Sequence, residues 1–533
     1  MCKLRNPRNK ERGIALLIVL MALFLVAAVG IGMIYMANTE TTINANYRDT
    51  QLAFFSMRGG LEEMRDRMRA SAPNPITLPT AMPGTANSII YITNPSSAST
   101  TEVDPKLYGN TYFDDELCHE SFVGSGVTYY AQGTPCPSSA APPSNATYVN
   151  SVMPYTGTSS SLKYKWVRLT LKQNGTFPNA LVDSTQTGVN LASQVCWDSV
   201  NGKEVVANAI GYANCTAAAN AGLMIAPVYI VTALAYTPQG SRRVGQYETA
   251  AFSINPPYVG LGVDGAGANF NPTSSNNFFI NGVDSGVAGW TASGGGAGAC
   301  TPTGPSVVPA VAVADAADKA ADILAVAGPP NRSNNYTGCL AAASCTTSSG
   351  PLLYGFPSIV DGSATGTNQF TGLWSSPPLL NKMVATLANG ADVTLNCAIG
   401  TACSGTAPYG TSANPQITYV NGDFNFGNNS GAGVLVVTGT LNMQGGANYN
   451  GLILVIGQGI ISVSGGGSGQ INGTLFLADT NSHTSPYAQL GTLGPPGYSW
   501  SGGGTNGIQY NSCWAGIGNN LHYMVIASRE EMY

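Results

Sequence analysis

The sequence has 533 residues, of which 9% are charged and 44% are hydrophobic, and its formal net charge at pH 7 is −5. A charged fraction well below the roughly 25% of ordinary soluble domains argues against a cytosolic helical enzyme, and the slight acidic excess argues against nucleic-acid binding. The hydrophobic content excludes simple disorder, so the composition favours an exported, mostly β protein with 65 Gly and 32 Pro in its turns.

The first predicted element is a long apolar helix behind a short basic segment. Residues 1–13 carry five basic side chains and one acidic side chain, and residues 14–36 then contain no charge. A helix over this uncharged run spans about 34 Å, enough to cross a hydrocarbon core of about 30 Å. The run is too long for a cleaved secretory signal, whose apolar region has about 7–15 residues. We therefore expect a retained membrane helix with its basic flank in the cytoplasm and the rest of the chain on the far side.

The helix is predicted to continue past the membrane to about Ala70, where Pro73 and Pro75 end it. Apolar residues recur beyond the membrane at spacings of three and four, which indicates one buried helix face: Phe54, Met57, Leu61, Met64 and Met68. Charged residues fill the intervening positions and are expected on the solvated faces: Glu62, Glu63, Arg65, Asp66, Arg67 and Arg69. Gly30 and Gly32, in the apolar half, are either ordinary transmembrane glycines or a segment that unwinds when the helix packs in a fibre.

Two segments of this helix resemble type IV prepilins. The junction Arg12-Gly13-Ile14, where a basic leader meets an apolar helix, resembles a class III prepilin signal. It is similar to the start of PilX-type minor pilins and of the K-type minor pseudopilin of type II secretion. The stronger likeness lies after the apolar run, where the chain resembles the PilX N-terminal motif in Asn46, Arg48, Asp49, Gln51, Leu52, Ala53 and Phe54.

The resemblance implies cleavage after Gly13 by prepilin peptidase and N-methylation of Ile14. Most pilins have glutamate at the fifth mature position, where this chain has Ile18. K-type pseudopilins and some PilX-like proteins also lack that glutamate, which in major pilins is thought to pair with the neighbouring subunit's N-terminal amine. Its absence fits a subunit at or near a fibre tip. Arg58 and Gly59 depart from the glutamate and alanine that are usual in PilX relatives.

Cysteine usage agrees with export. Cys2 lies in the leader, and ten cysteines follow the helix, which in an oxidising compartment predicts up to five disulfides. The sequence does not fix their connectivity, but loop closure favours near neighbours: Cys118–Cys136, Cys196–Cys215, Cys339–Cys345 and Cys397–Cys403, with Cys300–Cys513 left as a long-range pair. The spacings do not match a zinc motif and the chain has only three histidines, so no metal site is expected.

Residues 71–255 are predicted to form an ectodomain whose antiparallel sheet packs on the helix. Alternating or β-branched runs indicate strands at residues 163–171, 227–236 and 243–252, with a turn at residues 238–241. An acidic cluster lies beside His119: Asp114, Asp115, Glu116 and Glu120. Its carboxylates and imidazole could bind a divalent cation, but their spacing fits no EF-hand, and a solvated loop is expected. Residues 256–310 are rich in Gly and Asn and are predicted to be a linker.

Residues 311–533 are predicted to form a mostly β C-terminal domain with helices at residues 314–327 and 378–387. Between residues 417 and 478, apolar stretches flank glycines that recur at intervals of 16 to 18: Gly422, Gly439, Gly457 and Gly473. This period suits one coil of a short parallel β-solenoid in which equivalent glycines stack at a corner. A sandwich of short hairpins is the alternative. The predicted fold class is therefore α+β.

No catalytic constellation is expected. Asp423 and Asp479 lie at opposite ends of the repeat rather than as a pair, and residues 500–504 do not form a Gly-x-Ser-x-Gly motif. Three histidines in a chain of this length argue against a Ser-His-Asp site, and no spacing indicates a cofactor. We predict a protein that is not an enzyme and needs no cofactor.

The features together predict a minor pilin-like subunit of a type IV pilus or related pseudopilus, which primes assembly, displays its ectodomain near the tip for adhesion, or both. Expected partners are other pilins or minor pilins through the helix, prepilin peptidase, the bacterial inner membrane and a surface ligand or glycan, but no nucleic acid. The expected location is the inner membrane before assembly, with the ectodomain in the periplasm, and then the pilus or cell surface. One alternative is a membrane-anchored extracytoplasmic binding protein with a β-solenoid domain and no fibre role. Another is a solenoid glycan lyase or hydrolase that uses Asp423 or Asp479.

Overall fold

The structure is a computed structural model, and it describes residues 11–69, 72, 74–83, 87–94, 102–120, 122, 130, 133–142, 146–150, 163–175, 181–186, 191–272, 275, 277–286, 305–326, 332–339, 357–363, 370–501, 503–516, 521 and 523–531. Most of the predicted leader (residues 1–10) and two of the predicted disulfide partners, Cys300 and Cys345, lie outside these residues.

The described residues form one very long helix, several short helices and many strands. The α-helices are α1 (Glu11–Arg67), α2 (Cys215–Asn220), α3 (Ala316–Val326), α4 (Pro377–Asn389) and α5 (Ser512–Ala515), and 3-10 helices lie at Glu116–His119, Ser138–Ala140, Ala207–Ile210 and Arg332–Asn335. The first thirteen strands are β1 (Ile90–Thr93), β2 (Thr147–Asn150), β3 (Tyr164–Leu171), β4 (Val195–Asp198), β5 (Lys203–Val206), β6 (Ile225–Tyr236), β7 (Arg242–Ala250), β8 (Leu261–Asp264), β9 (Asn269–Asn271), β10 (Phe279–Asn281), β11 (Val311–Val313), β12 (Tyr336–Thr337) and β13 (Ile359–Asp361). The remaining strands are β14 (Val393–Asn396), β15 (Gln416–Asn421), β16 (Phe424–Gly427), β17 (Ser430–Val437), β18 (Thr440–Gln444), β19 (Asn448–Gly457), β20 (Ile460–Ser464), β21 (Gln470–Asn481), β22 (Gln489–Gly494), β23 (Gly497–Trp500), β24 (Gly507–Gln509) and β25 (Met524–Glu531).

The long helix α1 packs on the first sheet, as the sequence predicts. This sheet has the strand order β2-β1-β3-β6-β7-β25, with the β4–β5 hairpin paired to the start of β6, and it is antiparallel except between β1 and β2. The α1 residues Met57, Leu61, Met64 and Met68 are buried in one apolar cluster with side chains of β1, β3 and β6. The apolar spacing of three and four therefore marks the helix face that this sheet covers.

The charged residues at the end of α1 do not all face solvent, contrary to the prediction. Glu63, Arg67 and Arg69 are buried, and an Arg67 nitrogen lies 2.6 Å from a Glu63 carboxylate oxygen. Tyr164 of β3 donates a hydrogen bond to the other oxygen of Glu63, and Arg69 donates one to Asn414 beyond the first sheet. These charges are covered because the last turns of α1 lie between the sheet and the C-terminal domain, a contact that helix periodicity cannot reveal.

Helix α1 lies close to the sheet because Gly60 faces it. A Cβ atom at this position would lie 2.9 Å from Val167 Cγ2 and 3.0 Å from Tyr164 Cγ. We expect Gly60→Val to lower the free energy of unfolding by about 2–3 kcal/mol, because the added methyl groups force the helix off the sheet. Denaturant unfolding of the detergent-solubilised chain measures this. Gly32→Val is the matched control, since no atom lies within 4 Å of a Cβ there. Equal stability of the Gly60→Val variant and the original chain would contradict the close packing.

The C-terminal domain is inserted into the first sheet rather than following it. Strand β25 pairs antiparallel with β7, with Met524 opposite Ala250 and Glu531 opposite Val244. The first sheet therefore contains strands that precede residue 251 and one strand that follows residue 523. The boundary predicted for the C-terminal domain, residues 311–533, therefore ends too late, because residues 524–531 belong to the first sheet. The first four residues of β25 are apolar, but its last residues are charged and the strand does not alternate, so the sequence gave no strand signal there.

The inserted domain is a parallel β-solenoid. Its long face is the second sheet, with the order β12-β10-β24-β21-β19-β17-β15-β14, to which β8, β11 and β13 add through β21. Its short face is the third sheet, with the order β16-β18-β20-β23-β9. Every pairing between strands in these two sheets is parallel except β21–β22. The sandwich of hairpins is excluded by this parallel pairing.

The residues predicted as a linker contain part of the solenoid. Strands β8, β9 and β10, which fall within residues 256–310, pair in parallel with β21, β23 and β24 and so form one further coil. The coil that comes first in the sequence thus stacks next to the last of the predicted repeats. Short strands among Gly and Asn residues are stabilised by the neighbouring coil, and composition alone does not show that neighbour.

Both faces of the second sheet are buried, which explains its continuous apolar runs. Alternate residues such as Leu435 and Val437 point into the solenoid core, whereas Val434 and Val436 point outward. The outward residues pack against α4 and against Phe252 and other side chains near the first sheet. The two domains therefore share one apolar cluster.

A glycine ladder runs through the second sheet. Gly433, Gly451 and Gly473 are direct neighbours on β17, β19 and β21, and all have positive φ. This ladder was not predicted from the sequence. Of the predicted glycines, Gly439 donates a backbone hydrogen bond of 3.0 Å to Gly422 on the adjacent coil, but the predicted alignment of Gly473 with Gly457 is wrong, because Gly457 pairs with Asp479. The Gly-rich turn between β20 and β21 lengthens that coil and shifts the repeat.

Candidate functional site

The candidate functional site is the exposed part of α1 together with its attachment to the first sheet. The side chains from Ile14 to Met36 are largely exposed, and no charge interrupts them. Residues 14–67 include an 18-residue window with a mean hydropathy of 3.1, no part of which is buried. Helix α1 is therefore long and apolar enough to serve as a single-pass membrane anchor, although a signal sequence has the same composition. Such a surface needs lipid or other helices to cover it.

The predicted processing site lies at the start of this helix. Helix α1 begins at Glu11, so its first turn contains Gly13 and Ile14. The side chains of Ile14 and Ile18 are both exposed, at 65% and 60%. The helix is continuous across Gly30 and Gly32, and no atom lies within 4 Å of a Cβ built at either. Neither glycine is therefore required by a contact within the described chain.

The motif residues divide between two faces of α1. Asp49 and Ala53 are buried against the first sheet, and Gln51 and Phe54 are partly covered. Asn46, Arg48 and Leu52 are exposed. The motif thus combines one helix face that packs on the first sheet with another helix face that is exposed to solvent.

Asp49 attaches α1 to the turn between β6 and β7. Its side chain is 8% exposed, and Thr237 donates a hydrogen bond of 2.6 Å to its carboxylate. The backbone N–H of Ser241 in turn donates to the Thr237 hydroxyl, 3.1 Å away. The Asp49 carboxylate therefore joins α1 to the end of β6 and to the turn before β7. It does so at the point where the exposed half of α1 leaves the folded domain.

We expect Asp49→Ala to lower the free energy of unfolding by about 1–2 kcal/mol, because the buried Thr237 hydroxyl loses a charged acceptor. Asp49→Asn keeps an oxygen acceptor and should lose less. Urea unfolding followed by circular dichroism measures both variants. Asn46→Ala, on the exposed face of the same helix, is the control and should unfold like the original chain. An equal loss in the control would show that the hydrogen bond to Thr237 is not the cause.

Three of the expected cysteine pairs lie at bonding distance within the described residues. Their Cα atoms are 6.2 Å apart for Cys118–Cys136, 5.6 Å for Cys196–Cys215 and 5.5 Å for Cys397–Cys403. Cys339 and Cys513 are also disulfide-bonded, and their partners lie outside the described residues. The Cys397–Cys403 disulfide closes the loop that follows β14. In this loop, Cys403 forms a short parallel backbone pairing with Phe424 of β16, the edge strand of the third sheet.

The acidic cluster near His119 is not a solvated loop, contrary to the prediction. Asp114, Glu116 and Glu120 are buried, and the fully buried Arg168 of β3 donates hydrogen bonds to Asp114 and Glu120. Burial raises the pKa of Asp114 and of Glu120, although Arg168 acts to lower both. The cluster is buried because the loop folds across the side of the sheet opposite α1, where Arg168 supplies the opposite charge.

The two aspartates considered for glycan chemistry do not form a catalytic pair. Asp423 accepts hydrogen bonds from the backbone N–H groups of Gly400 and Thr440, so it fixes a turn. Asp479 pairs with His483 through a contact of 2.9 Å. Asp423 lies two residues beyond β15, and Asp479 lies in β21. Two strands, β17 and β19, separate β15 from β21, so at about 4.8 Å per strand these two strands are about 14 Å apart. Glycosidase carboxyl pairs lie about 5–9.5 Å apart.

Comparison with known proteins gives no assignment. No protein-family model matches the chain, and no curated protein and no solved structure matches it.

Proposed function

We propose that this protein is a minor pilin-like subunit of a type IV pilus or a related pseudopilus. The observation that carries the proposal is α1, whose apolar half is exposed from Ile14 to Met36 while its other half is fixed to the first sheet through Asp49. An exposed apolar helix of this length needs lipid before assembly and neighbouring helices afterwards. The likeness of residues 46–54 to the PilX motif falls at the junction of these two halves.

The position in the fibre is proposed to be at or near the tip. Ile18 offers no carboxylate to the N-terminal amine of a neighbouring subunit, so this chain lacks one attraction that would hold a pilin above it. The inserted solenoid also adds a domain larger than the sheet that carries it. Before assembly the chain resides in the inner membrane, with its ectodomain in the periplasm. At this stage prepilin peptidase and other pilins are its partners.

Replacement of Gly13 by alanine tests the proposal. We expect Gly13→Ala to leave residues 1–13 attached and to remove the protein from the sheared fibre fraction. Gly32→Ala, in the same apolar helix, is the control and should be processed normally. Unchanged migration together with unchanged piliation would contradict the proposal. A mature mass that includes residues 1–13 in the original chain would favour a membrane-anchored binding protein without a fibre role.

The third sheet supports a part in adhesion. Its outward row consists of uncharged side chains in one register: Asn425, Asn442, Ser462, Ser499 and Asn271. No charged residue occurs in the five strands of this sheet, whereas the outer face of the second sheet is covered by α4. A flat surface of amides and hydroxyls suits a neutral ligand such as a glycan, because it offers hydrogen bonds without an ionic preference.

A pair of charge substitutions tests the adhesive face. We expect Asn442→Glu with Ser462→Glu to abolish adherence of piliated cells while piliation and the folded state are unchanged. Gln489→Glu, on the exposed strand β22, is the control and should adhere normally. Adherence that survives the double substitution would contradict the assignment of this face, and loss of piliation would show a structural role instead.

A further inference from the structure

Two sulfur atoms and one imidazole nitrogen converge beside the first sheet. The ligand atoms of Cys118, His119 and Cys136 all lie within 4.8 Å of one another. Cys118 and His119 share the 3-10 helix Glu116–His119, and Cys136 comes from the segment that follows. The Sγ atoms of both cysteines also lie near the carbonyl oxygen of Asp115, at 3.1 and 2.9 Å. The spacing in the sequence gives no zinc motif, so the fold alone brings this set together.

The imidazole is oriented as in a metal-binding histidine. His119 Nδ1 lies 2.9 Å from the carbonyl oxygen of Tyr130. A carbonyl oxygen can only accept, so Nδ1 donates this hydrogen bond and Nε2 is the ring nitrogen left for a metal. Nε2 also lies near the cysteines, with Cys136 Sγ 3.6 Å away. Metal-bound histidines are typically held in this way by a carbonyl group on the other nitrogen.

The separation of one sulfur and the imidazole nitrogen fits a tetrahedral zinc ion. Zinc bonds of about 2.3 Å to sulfur and about 2.0–2.1 Å to nitrogen place the two ligand atoms about 3.6 Å apart at a tetrahedral angle. This is the separation of Cys136 Sγ and His119 Nε2. The two sulfur atoms are disulfide-bonded in this structure and would have to separate to about 3.8 Å to bind one zinc ion.

We propose that Cys118, Cys136 and His119 form a redox-controlled site that binds Zn²⁺ when the Cys118–Cys136 disulfide is reduced. Reduction by a dithiol transfers two electrons and two protons to the disulfide and leaves the dithiol as a disulfide. Zn²⁺ then displaces both thiol protons and is held by two thiolates and His119 Nε2, with water as the fourth ligand. A second disulfide compound that accepts two electrons from the two thiolates, and is itself reduced to a dithiol, re-forms the Cys118–Cys136 bond and releases the ion. The inference is independent of any role in a fibre.

The other cysteine pairs provide internal controls. The Sγ atoms of Cys196 and Cys215 lie near the backbone oxygens of Gln194 and Val195. Among the described residues, only the Cys118–Cys136 pair has an imidazole within reach, since His483 is paired with Asp479. Reduction of the Cys196–Cys215 pair therefore gives thiols without the third ligand.

Cobalt and zinc titration of the reduced full chain in detergent tests the site. We expect the reduced protein to bind one equivalent of Co²⁺ with the visible bands of tetrahedral cobalt and a thiolate-to-cobalt charge-transfer band, and Zn²⁺ to displace it. The oxidised protein should bind neither ion. A reduced protein without these bands would overturn the proposal.

Two sets of variants locate the binding. His119→Ala keeps both cysteines, and we expect it to lower the affinity for Zn²⁺ at least 10-fold and to change the cobalt spectrum. Cys118→Ser with Cys136→Ser should abolish the thiolate-to-cobalt band, whereas Cys196→Ser with Cys215→Ser should retain it. Unchanged affinity in His119→Ala, or bands that survive in Cys118→Ser with Cys136→Ser, would overturn the assignment. If a cysteine variant does not fold, the His119→Ala result alone decides.

Discussion

Replacement of Arg168 by methionine is expected to lower the free energy of unfolding by about 3–5 kcal/mol, because it leaves two buried carboxyl groups without their cation. The Arg168 side chain is 0% exposed, and its guanidinium donates to Asp114 over 2.9 Å and also to Glu120. Burial acts to lower the pKa of Arg168, but the two carboxylates outweigh it and hold that pKa above its usual value. Chemical denaturation at pH 7 measures the loss.

The loss should depend on pH in a defined direction. Burial already raises the pKa of Asp114 and Glu120 above their usual values, and removal of the arginine raises both further. A carboxyl whose folded pKa lies above its unfolded pKa favours folding below the unfolded pKa and loses that contribution as the pH rises through the folded pKa. We therefore expect the Arg168→Met variant to be more stable at pH 5 than at pH 8, relative to the original chain.

Two further variants distinguish this cause from a general packing defect. Arg243→Ala removes a partly exposed ion pair with Glu530 and should cost only about 0–1 kcal/mol. Arg168→Met combined with Asp114→Asn and Glu120→Gln removes the uncompensated charge, and we expect it to recover part of the loss. No recovery in the triple variant would contradict the electrostatic explanation.

Replacement of Gly451 by alanine is expected to destabilise the solenoid by at least about 3 kcal/mol. A Cβ atom at this position would lie 1.9 Å from the carbonyl oxygen of Gly433 on the neighbouring strand, and the residue has a φ of +150°. The backbone of two coils would have to separate, and the strained φ adds to the cost of the clash. Thermal unfolding of the full chain, followed by near-ultraviolet circular dichroism of the buried aromatic residues, measures the effect.

The control for this prediction is a glycine without neighbours. No atom lies within 4 Å of a Cβ built at Gly491 on strand β22, so Gly491→Ala should change the melting temperature little. Gly473→Ala should behave like Gly451→Ala, because its Cβ would also lie 1.9 Å from a carbonyl oxygen of the adjacent coil. A chain that tolerates alanine at Gly451 would contradict the stacking register.

Local patterns in the sequence predicted the elements well where burial is periodic. The spacing of Met57, Leu61 and Met64 gives the buried face of α1, and the strands near residues 164, 225 and 242 lie within a few residues of their predicted bounds. The glycine period of 16 to 18 residues also predicted parallel coils, and β17 and β19 carry long apolar runs because both faces of the second sheet are covered. In each case the residues that contact the core recur at a regular spacing in the sequence, and this spacing is what the prediction uses.

Contacts between distant segments gave no such signal. The charge of Glu63 gives no sign that Tyr164 and Arg67 will cover it, and the acidic residues near His119 do not reveal Arg168 as their partner. The candidate site likewise has one part that the local sequence predicts and another part that depends on contacts between distant segments. The exposed apolar half of α1 was predictable from composition, whereas the bond between Asp49 and Thr237 and the convergence of His119 with two cysteines depend on the tertiary fold.

The pairing of β25 with β7 has a consequence for the order in which the protein folds. The first sheet cannot gain this strand until residues 251–523 have been synthesised, so the pairing bears a large loop-closure cost and belongs to a late step. Until then β7 presents an open edge that can pair with the wrong chain. A premature stop anywhere in the solenoid would leave that edge open beside α1. The sheet that holds α1 is therefore completed only in chains that have been synthesised through residue 531.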